Sequence, residues 1–383
     1  MAKTKMKTMT KTNLSRTVLT ALLAVAAADF AIAQKPHIVN ARVQELSAAN
    51  GLKAAVESIV QKENVQKENG PLWIGYRIPA AAKDRTLCCF GSWDDYRNMA
   101  GRCCGCNVEA EHGVSINDSG SNCSGPEPLP YAFVFLRADN EAKRIGKVRA
   151  YSSDCQLDFA GLPLFWLEDV KPEQSVELLT SLALSADAEG DFGKKGPGRQ
   201  AVMAIALHDT PAADQALEKL IQPAQPIGLR ENVVFWLAVE RGKKGLELLR
   251  KYVKNDPDVR FRKKGVFAFS QSKEPEALGE LIGMARNDES PKVRGEAIFW
   301  LAQIGGRKEA EQITAAIEND PETEVKKKAV FALSQMHGGE GVPLLINLVK
   351  TNKNPAVRKQ ALFWLGESRD PRALDFLEQI LTK

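Results

Sequence analysis

Five stretches of this chain start at intervals of 32 residues and share one pattern: 229-LRENVVFWLAV-239, 261-FRKKGVFAFSQ-271, 293-VRGEAIFWLAQ-303, 325-VKKKAVFALSQ-335 and 357-VRKQALFWLGE-367. A weaker copy, 197-PGRQAVMAIAL-207, lies one period upstream. A fixed period without drift means that one supersecondary unit has been stacked on itself, because a lone unit cannot bury its apolar face. Each copy is followed by a second apolar-periodic stretch, at 243–253, 275–285, 309–317, 340–349 and 371–381. Asn255-Asp256-Pro257, Asn287-Asp288, Asn319-Asp320-Pro321 and Asn354-Pro355 separate successive pairs and read as turn and helix-start signals. The unit is therefore helix–turn–helix, repeated about six times from starts near 197, 229, 261, 293, 325 and 357. A helix over 172–186 begins the stack, and the Gly-rich loop 187–198 leads into it. In the last helix Arg372, Asp375 and Glu378 alternate with Leu374, Leu377 and Leu381, a polar face suited to capping the open end.

With the first residue of each copy as position 0 and about 100° per residue, positions 0, 4, 7, 8 and 11 share one apolar stripe. In the 293 copy these are Val293, Ala297, Trp300, Leu301 and Ile304. Position 7 alternates large and small along the chain: Trp236, Ala268, Trp300, Ala332, Trp364. That alternation predicts core indoles lying over neighbouring methyl groups. Position 6 falls well off the stripe, yet it is Phe in every strong copy: Phe235, Phe267, Phe299, Phe331 and Phe363. Lys263, Lys264, Lys327, Lys328 and Lys359 share its side, as do Gln271, Gln303 and Gln335. Two roles fit such a row. The rings can cement neighbouring units, helped by lysine stems, or they can meet a partner, since aromatic surface framed by polar groups is what peptide and protein interfaces use. The binding role is the expectation carried forward. Position 1 is basic throughout (Arg230, Arg262, Arg294, Lys326, Arg358), which predicts structural ion pairs with Asp256, Asp288 and Asp320.

The pattern Val-Arg-x-x-Ala-x-x-x-Leu in 293-VRGEAIFWL-301 and 357-VRKQALFWL-365 resembles the HEAT repeats of the phycobilisome-lyase-like type, over roughly 197–383. The resemblance implies an α-solenoid of HEAT-like helical repeats, about six units of 32 residues, in which the face carrying position 6 lines a concave, partner-gripping surface. Such arrays mostly serve as binding scaffolds. Deoxyhypusine hydroxylase, another HEAT-like protein, holds iron with His-Glu pairs on its repeat helices; the comparable positions here read Gly295-Glu296, Lys327-Lys328 and Lys359-Gln360, so no iron site carries over.

Ahead of the array, residues 1–33 combine Lys3, Lys5, Lys7, Lys11 and Arg16 with the apolar run 18-VLTALLAVAAADFAIA-33 and a small-x-small ending, the three parts of a secretory signal peptide cleaved near Ala33. The expectation is an exported protein, periplasmic or extracellular, whose mature chain has no membrane span. Removing those five basic residues and Asp29 from totals of 52 and 48 leaves 47 of each sign, so nothing global favours nucleic acid or an anionic membrane as partner.

Residues 34–170 lack the 32-residue period. Pattern predicts strands at 38–47 and 72–79, a helix at 51–62 and a hairpin over 131–152 turning near Asp139-Asn140, a small α+β domain. The stretch 164-LFWL-167 imitates the repeat but lies out of phase, ahead of Pro172. All seven cysteines fall here: Cys88, Cys89, Cys103, Cys104, Cys106, Cys123 and Cys155. In an exported chain they read as a disulfide framework stapling a Gly/Ser/Asn-rich loop, with one cysteine left over. The string Cys103, Cys104, Cys106, His112 admits a redox or metal-binding alternative centred on the Cys88–Cys123 loop, although it lacks paired C-x2-4-C knuckles and any C-x-x-C. The junction 153–179 resembles exported bacterial HEAT-repeat proteins in which a cysteine-bearing domain precedes the array, a group of undefined activity. G-x-S-x-G, P-loop, H-E-x-x-H and G-x-G-x-x-G are absent, and no cofactor or metal is expected. The leading reading is an interaction scaffold for a protein or peptide rather than an enzyme.

Overall fold

The computed structural model describes residues 35–61, 70–81, 106–109, 130–139, 143–153, 155–185 and 196–382. Its N-terminal part is a mixed sheet of five strands in the order β2-β8-β3-β5-β6, where β2 is Arg42–Ser47, β3 Leu72–Pro79, β5 Tyr131–Asp139, β6 Arg144–Ser152 and β8 Pro163–Glu168. β8 runs parallel to both β2 and β3, whereas β3, β5 and β6 are antiparallel neighbours. A second sheet of three short parallel strands joins β1 (His37–Val39), β7 (Gln156–Asp158) and β4 (Cys106–Asn107). The stretch expected as one strand over 38–47 is thus two, broken at Asn40, whose φ of 51° turns the chain from one sheet to the other. The stretch 164-LFWL-167 is neither helix nor repeat. It forms the middle of β8, where Leu164 and Trp166 face one side and Phe165 and Leu167 the other, all buried.

Both faces of the large sheet are covered, as near-continuous apolar strands require. On one side Trp73, Phe133, Phe135, Phe159 and Trp166 form an aromatic core that also holds Cys106 and Cys155. Gly75 permits that packing, since a Cβ there falls 2.5 Å from Phe135 Cε1. Cys106 and Cys155 are each disulfide-bonded and fully buried; Cys88, Cys89, Cys103, Cys104 and Cys123 lie outside the described residues, as do the 1–33 segment and the 187–195 part of the loop. On the other side Leu72, Ile74, Tyr76, Val134 and Leu136 pack with helix α1 (Leu52–Gln61) and with helix α2 (Pro172–Ser185) in a core that runs on without interruption into the repeats.

The repeats are six helix pairs: α3 (Gly198–Leu207) with α4 (Pro211–Ile221), α5 (Ile227–Glu240) with α6 (Gly242–Val253), α7 (Val259–Gln271) with α8 (Ala277–Asn287), α9 (Pro291–Ile304) with α10 (Arg307–Asn319), α11 (Thr323–Ser334) with α12 (Gly341–Thr351), and α13 (Pro355–Glu367) with α14 (Pro371–Leu381). Helix starts follow from the sequence: Pro211, Pro291, Pro355 and Pro371 occupy first-turn positions, and Thr210, Asp258, Asn354 and Asp370 cap backbone N–H groups. Helices turn back tightly inside a pair. At Gly341 the chain passes so close to the preceding helix that a Cβ would fall 1.7 Å from the Leu333 carbonyl oxygen.

The first helices α3, α5, α7, α9, α11 and α13 pack directly on one another, whereas the second helices touch each other sparsely. A double layer spaced more tightly on one side curves toward that side, so the first helices form the inner, concave layer. At the N-terminal end α3 packs on β6, and Ala80 bridges to His208, so the sheet closes that end of the stack. The other end is not closed as expected. α14 buries Ala373 and Phe376 inward but leaves Leu374 59% and Leu381 84% exposed, on a face that none of the described helices covers.

Candidate functional site

One path of aromatic rings crosses the inner layer from α5 to α13. Trp236 meets Phe235 edge-on at 5.0 Å between ring centroids, and Phe235 stacks on Phe267 at 6.0 Å with the planes 9° apart. Phe267 meets Trp300 at 4.8 Å, Trp300 meets Phe299 at 5.4 Å, and Phe299 stacks on Phe331 at 6.2 Å with the planes 8° apart. Phe331 reaches Trp364 at 5.0 Å, and Trp364 meets Phe363. The five position-6 phenylalanines are thus brought together by the 32-residue period, each helix repeating the same face toward its neighbour.

Phe235, Phe267, Phe299 and Phe331 are half-buried, and Phe363, on the last described pair, is 55% exposed. The indoles differ from expectation. Trp300 and Trp364 lie against the phenylalanine of the preceding unit, and all three tryptophans pack at the edge of the core and are only partly buried. The fully buried member of the alternation is the alanine, Ala268 and Ala332. The aliphatic stripe already fills the interior, so the larger rings are displaced to its edge.

Around this path lie the polar residues singled out in the sequence. Gln271 and Gln303 are partly exposed and Gln335 exposed. The Gln271 and Gln335 side-chain amides donate to Ser270 and Ser334, whose hydroxyls in turn donate to the carbonyls of Phe267 and Phe331. Lys263 pairs with Glu296 at 3.1 Å and Lys327 with Glu324 at 2.8 Å. Lys264, Lys328 and Lys359 are exposed. Glu296 also accepts from Trp300 Nε1 at 3.2 Å, and Glu231 receives Arg260 at 2.6 Å. Trp364 Nε1 is buried with no hydrogen-bond partner among the described residues.

Behind this face, position 1 builds a ladder of buried ion pairs 26 residues apart. Arg262 binds Asp288 with two hydrogen bonds of 2.9 Å, Arg294 binds Asp320 with bonds of 2.8 and 3.0 Å, and Arg230 binds Asp256. Each aspartate also accepts a backbone N–H two residues on, at Asp258, Ser290 and Glu322, so one side chain shapes its own turn and anchors the preceding unit. The ladder stops at the fifth unit. Lys326 donates to the Glu318 carbonyl, and the position 26 residues on is Asn352. A cavity of about 320 Å³ opens there between α10 and α12, lined by Thr314, Glu318, Lys326, Asn347 and Asn352 among others.

Sequence reasoning did not find one buried polar cluster. His208, at the end of α3, contacts the Ala204 carbonyl through Nδ1 at 2.7 Å and the Ser175 hydroxyl through Nε2 at 2.9 Å; Ser175 in turn donates to the Tyr76 hydroxyl at 2.9 Å. All three residues are fully buried. Burial pushes the imidazole down to about 4, against the pull of the Ala204 carbonyl, and pushes the Tyr76 hydroxyl up. The geometry is that of a tie between sheet, α2 and α3. A lone His at a predicted helix end gives no signal for it. Among the described residues no three His, Cys, Asp or Glu side chains gather where they could hold a metal ion, and no helix is long and apolar enough to cross a membrane.

Comparison with known proteins supports helical repeats in the C-terminal units. A family model of HEAT repeats matches residues 310–383, which cover all of α11–α14 and most of α10. No curated protein matches the sequence. Among solved structures, human deoxyhypusine hydroxylase in complex with glycerol is similar at 17% identity, covering 54% of this chain and 90% of that one, with a TM-score of 0.23. The complex of CpcE and CpcF of phycocyanin lyase from Nostoc sp. PCC7120 is similar at 19% identity over 43% and 96%, with a TM-score of 0.26. The Escherichia coli protein YibA is similar at 25% identity over 49% and 70%, with a TM-score of 0.32. None of these likenesses assigns a residue or an activity to this chain.

Proposed function

We propose that this chain, which carries HEAT repeats in its C-terminal units, is an exported scaffold that binds a protein or peptide partner along the aromatic path of its inner face. The observation that carries the reading is the path itself. Eight rings on the first helices of five successive units are placed at the edge of the core and left partly open, beside an aliphatic stripe that is itself largely buried. Aromatic rings give large contact area at low conformational cost, and the glutamines and lysines beside them supply the polar rim that interfaces use. A curved, rigid array presents such a surface without reorganisation, which lowers the entropic cost of binding. The signal-like segment 1–33 supports export, and on this reading the partner lies outside the cytoplasm.

The test is to express the mature chain in its own compartment and compare proteins retained by the wild type and by a Phe267→Ser, Phe299→Ser, Phe331→Ser variant, with thermal melts of both. The reading requires a folded variant that has lost a partner held by the wild type. A folded variant with an unchanged set of partners contradicts it.

A further inference from the structure

The inner face repeats every two units rather than every one. The copies at 229, 293 and 357 carry Phe-Trp, while those at 261 and 325 carry Lys-Lys, Phe-Ala and Ser-Gln. The structure keeps the same alternation: parallel Phe–Phe stacks join α5 to α7 and α9 to α11, and tilted Phe–Trp contacts join α7 to α9 and α11 to α13.

Charge follows the same rhythm and is unbalanced. The carboxylates of the inner face at the corresponding positions, Glu231 and Glu296, are held by Arg260 and Lys263. Lys264 on α7, Lys328 on α11 and Lys359 on α13 are exposed and have no counter-charge or hydrogen-bond partner among the described residues. The Lys328 stem is laid across α9, so that a Cβ on Gly295 would meet its Cδ at 2.6 Å. That contact holds the ammonium against α9 as well, with Nζ 3.4 Å from the same Cβ, rather than out along its own helix. Glu367, at the far end of α13, is the one unpaired carboxylate at these positions among the described residues.

We propose that the occupant of this face is an extended acidic peptide, whose carboxylates meet Lys264 and Lys328 while apolar side chains between them lie on the Phe/Trp path. The proposal rests on the reading of the aromatic path as a binding surface. Neighbouring helices pack about 8–10 Å apart, so the Cα atoms of Lys264 and Lys328, at equivalent positions two helices apart, are separated by about 16–20 Å. An extended chain rises about 3.3 Å per residue, which spaces the matching carboxylates about five to six residues apart. Alternating faces of that chain supply the rest: side chains pointing inward meet rings, and the free glutamine carbonyl oxygens receive peptide N–H groups. Charge complementarity of this kind favours one sign of partner and rejects the other.

The test uses three peptides of about 12 residues on one Phe- and Pro-containing frame, with Glu, Gln or Lys at two positions six apart. Each is labelled and titrated by anisotropy into the full mature chain, into a Lys264→Ala, Lys328→Ala variant and into the Phe267→Ser, Phe299→Ser, Phe331→Ser variant, all checked for folding. The proposal predicts that the Glu peptide binds about ten times more tightly than the Gln peptide at about 50 mM salt, and that the advantage fades at about 500 mM. The lysine variant should lose that advantage while retaining the melting temperature of the wild type. Equal binding of the three peptides, or no binding of any, overturns the acidic assignment and leaves the aromatic face to its own test. Undiminished binding of the Glu peptide to the folded phenylalanine variant overturns the aromatic face itself.

Discussion

At the scale of single residues, the position-6 phenylalanines divide by their neighbours. Phe299 stands between Trp300 and Phe331 and is half-buried, so Phe299→Ser should cost about 1–3 kcal/mol in a denaturant melt. Phe363 has one ring neighbour and is 55% exposed, and Phe363→Ser should stay within about 0.5 kcal/mol of wild type. Equal costs at the two positions would mean that ring contact does not set their contribution. His208 makes a second prediction. Its folded value of about 4 lies below the ordinary 6.5, so the unfolded chain binds more protons between those values. Stability from this group is therefore full above about pH 6.5 and falls as pH drops toward 4, by up to about 3 kcal/mol. Chemical denaturation at pH 7, 5.5 and 4.5 should show the loss, and a His208→Gln variant should show a shallower slope.

At the scale of helices, the arginine–aspartate ladder joins units that the aliphatic stripe has already aligned. Breaking a buried pair by removing one partner strands the other charge, so Asp288→Ala should lose about 3–5 kcal/mol. Asn352→Ala, at the same place in the unit where Lys326 has turned to a carbonyl, should lose less than about 1 kcal/mol. Similar losses at both sites would show that the aspartate acts through its turn rather than through the ion pair. The ladder was legible in the sequence because position 1 and the turn aspartates recur at fixed spacing, and the helix pairs were legible for the same reason. β8 was not. Its Leu-Phe-Trp-Leu run is buried on both faces, and such a run has no period to tell strand from helix. The indoles were placed too deep because a helical wheel assigns angle but not reach. Trp300 lies at the edge of its stripe and extends to Phe267, a contact that only the spacing of neighbouring helices reveals. The tie through Tyr76, Ser175 and His208 joins residues far apart in the chain, with no motif to announce it.

At the scale of the whole molecule, one hydrophobic core passes from the sheet through α2 and α3 into the repeats, which closes one end of the stack, while at the other no described element covers the outer face of α14. Stability in such an array is a sum over neighbouring interfaces, so the unit with one interface opens most easily. Hydrogen exchange should find the amides of α3 and α5 best protected and those of α13 and α14 least; the reverse order would mean that the sheet does not anchor the array. The central claim is that the inner aromatic face meets the partner. The most direct measurement places a photo-crosslinking residue at Gln303 or Gln335 on the inner layer and, in separate chains, at Glu311 or Asn347 on the outer layer, all within the native compartment. The account predicts a discrete crosslinked adduct from the inner positions that is absent from the outer ones. Adducts from the outer positions alone, or equally from both layers, would contradict it.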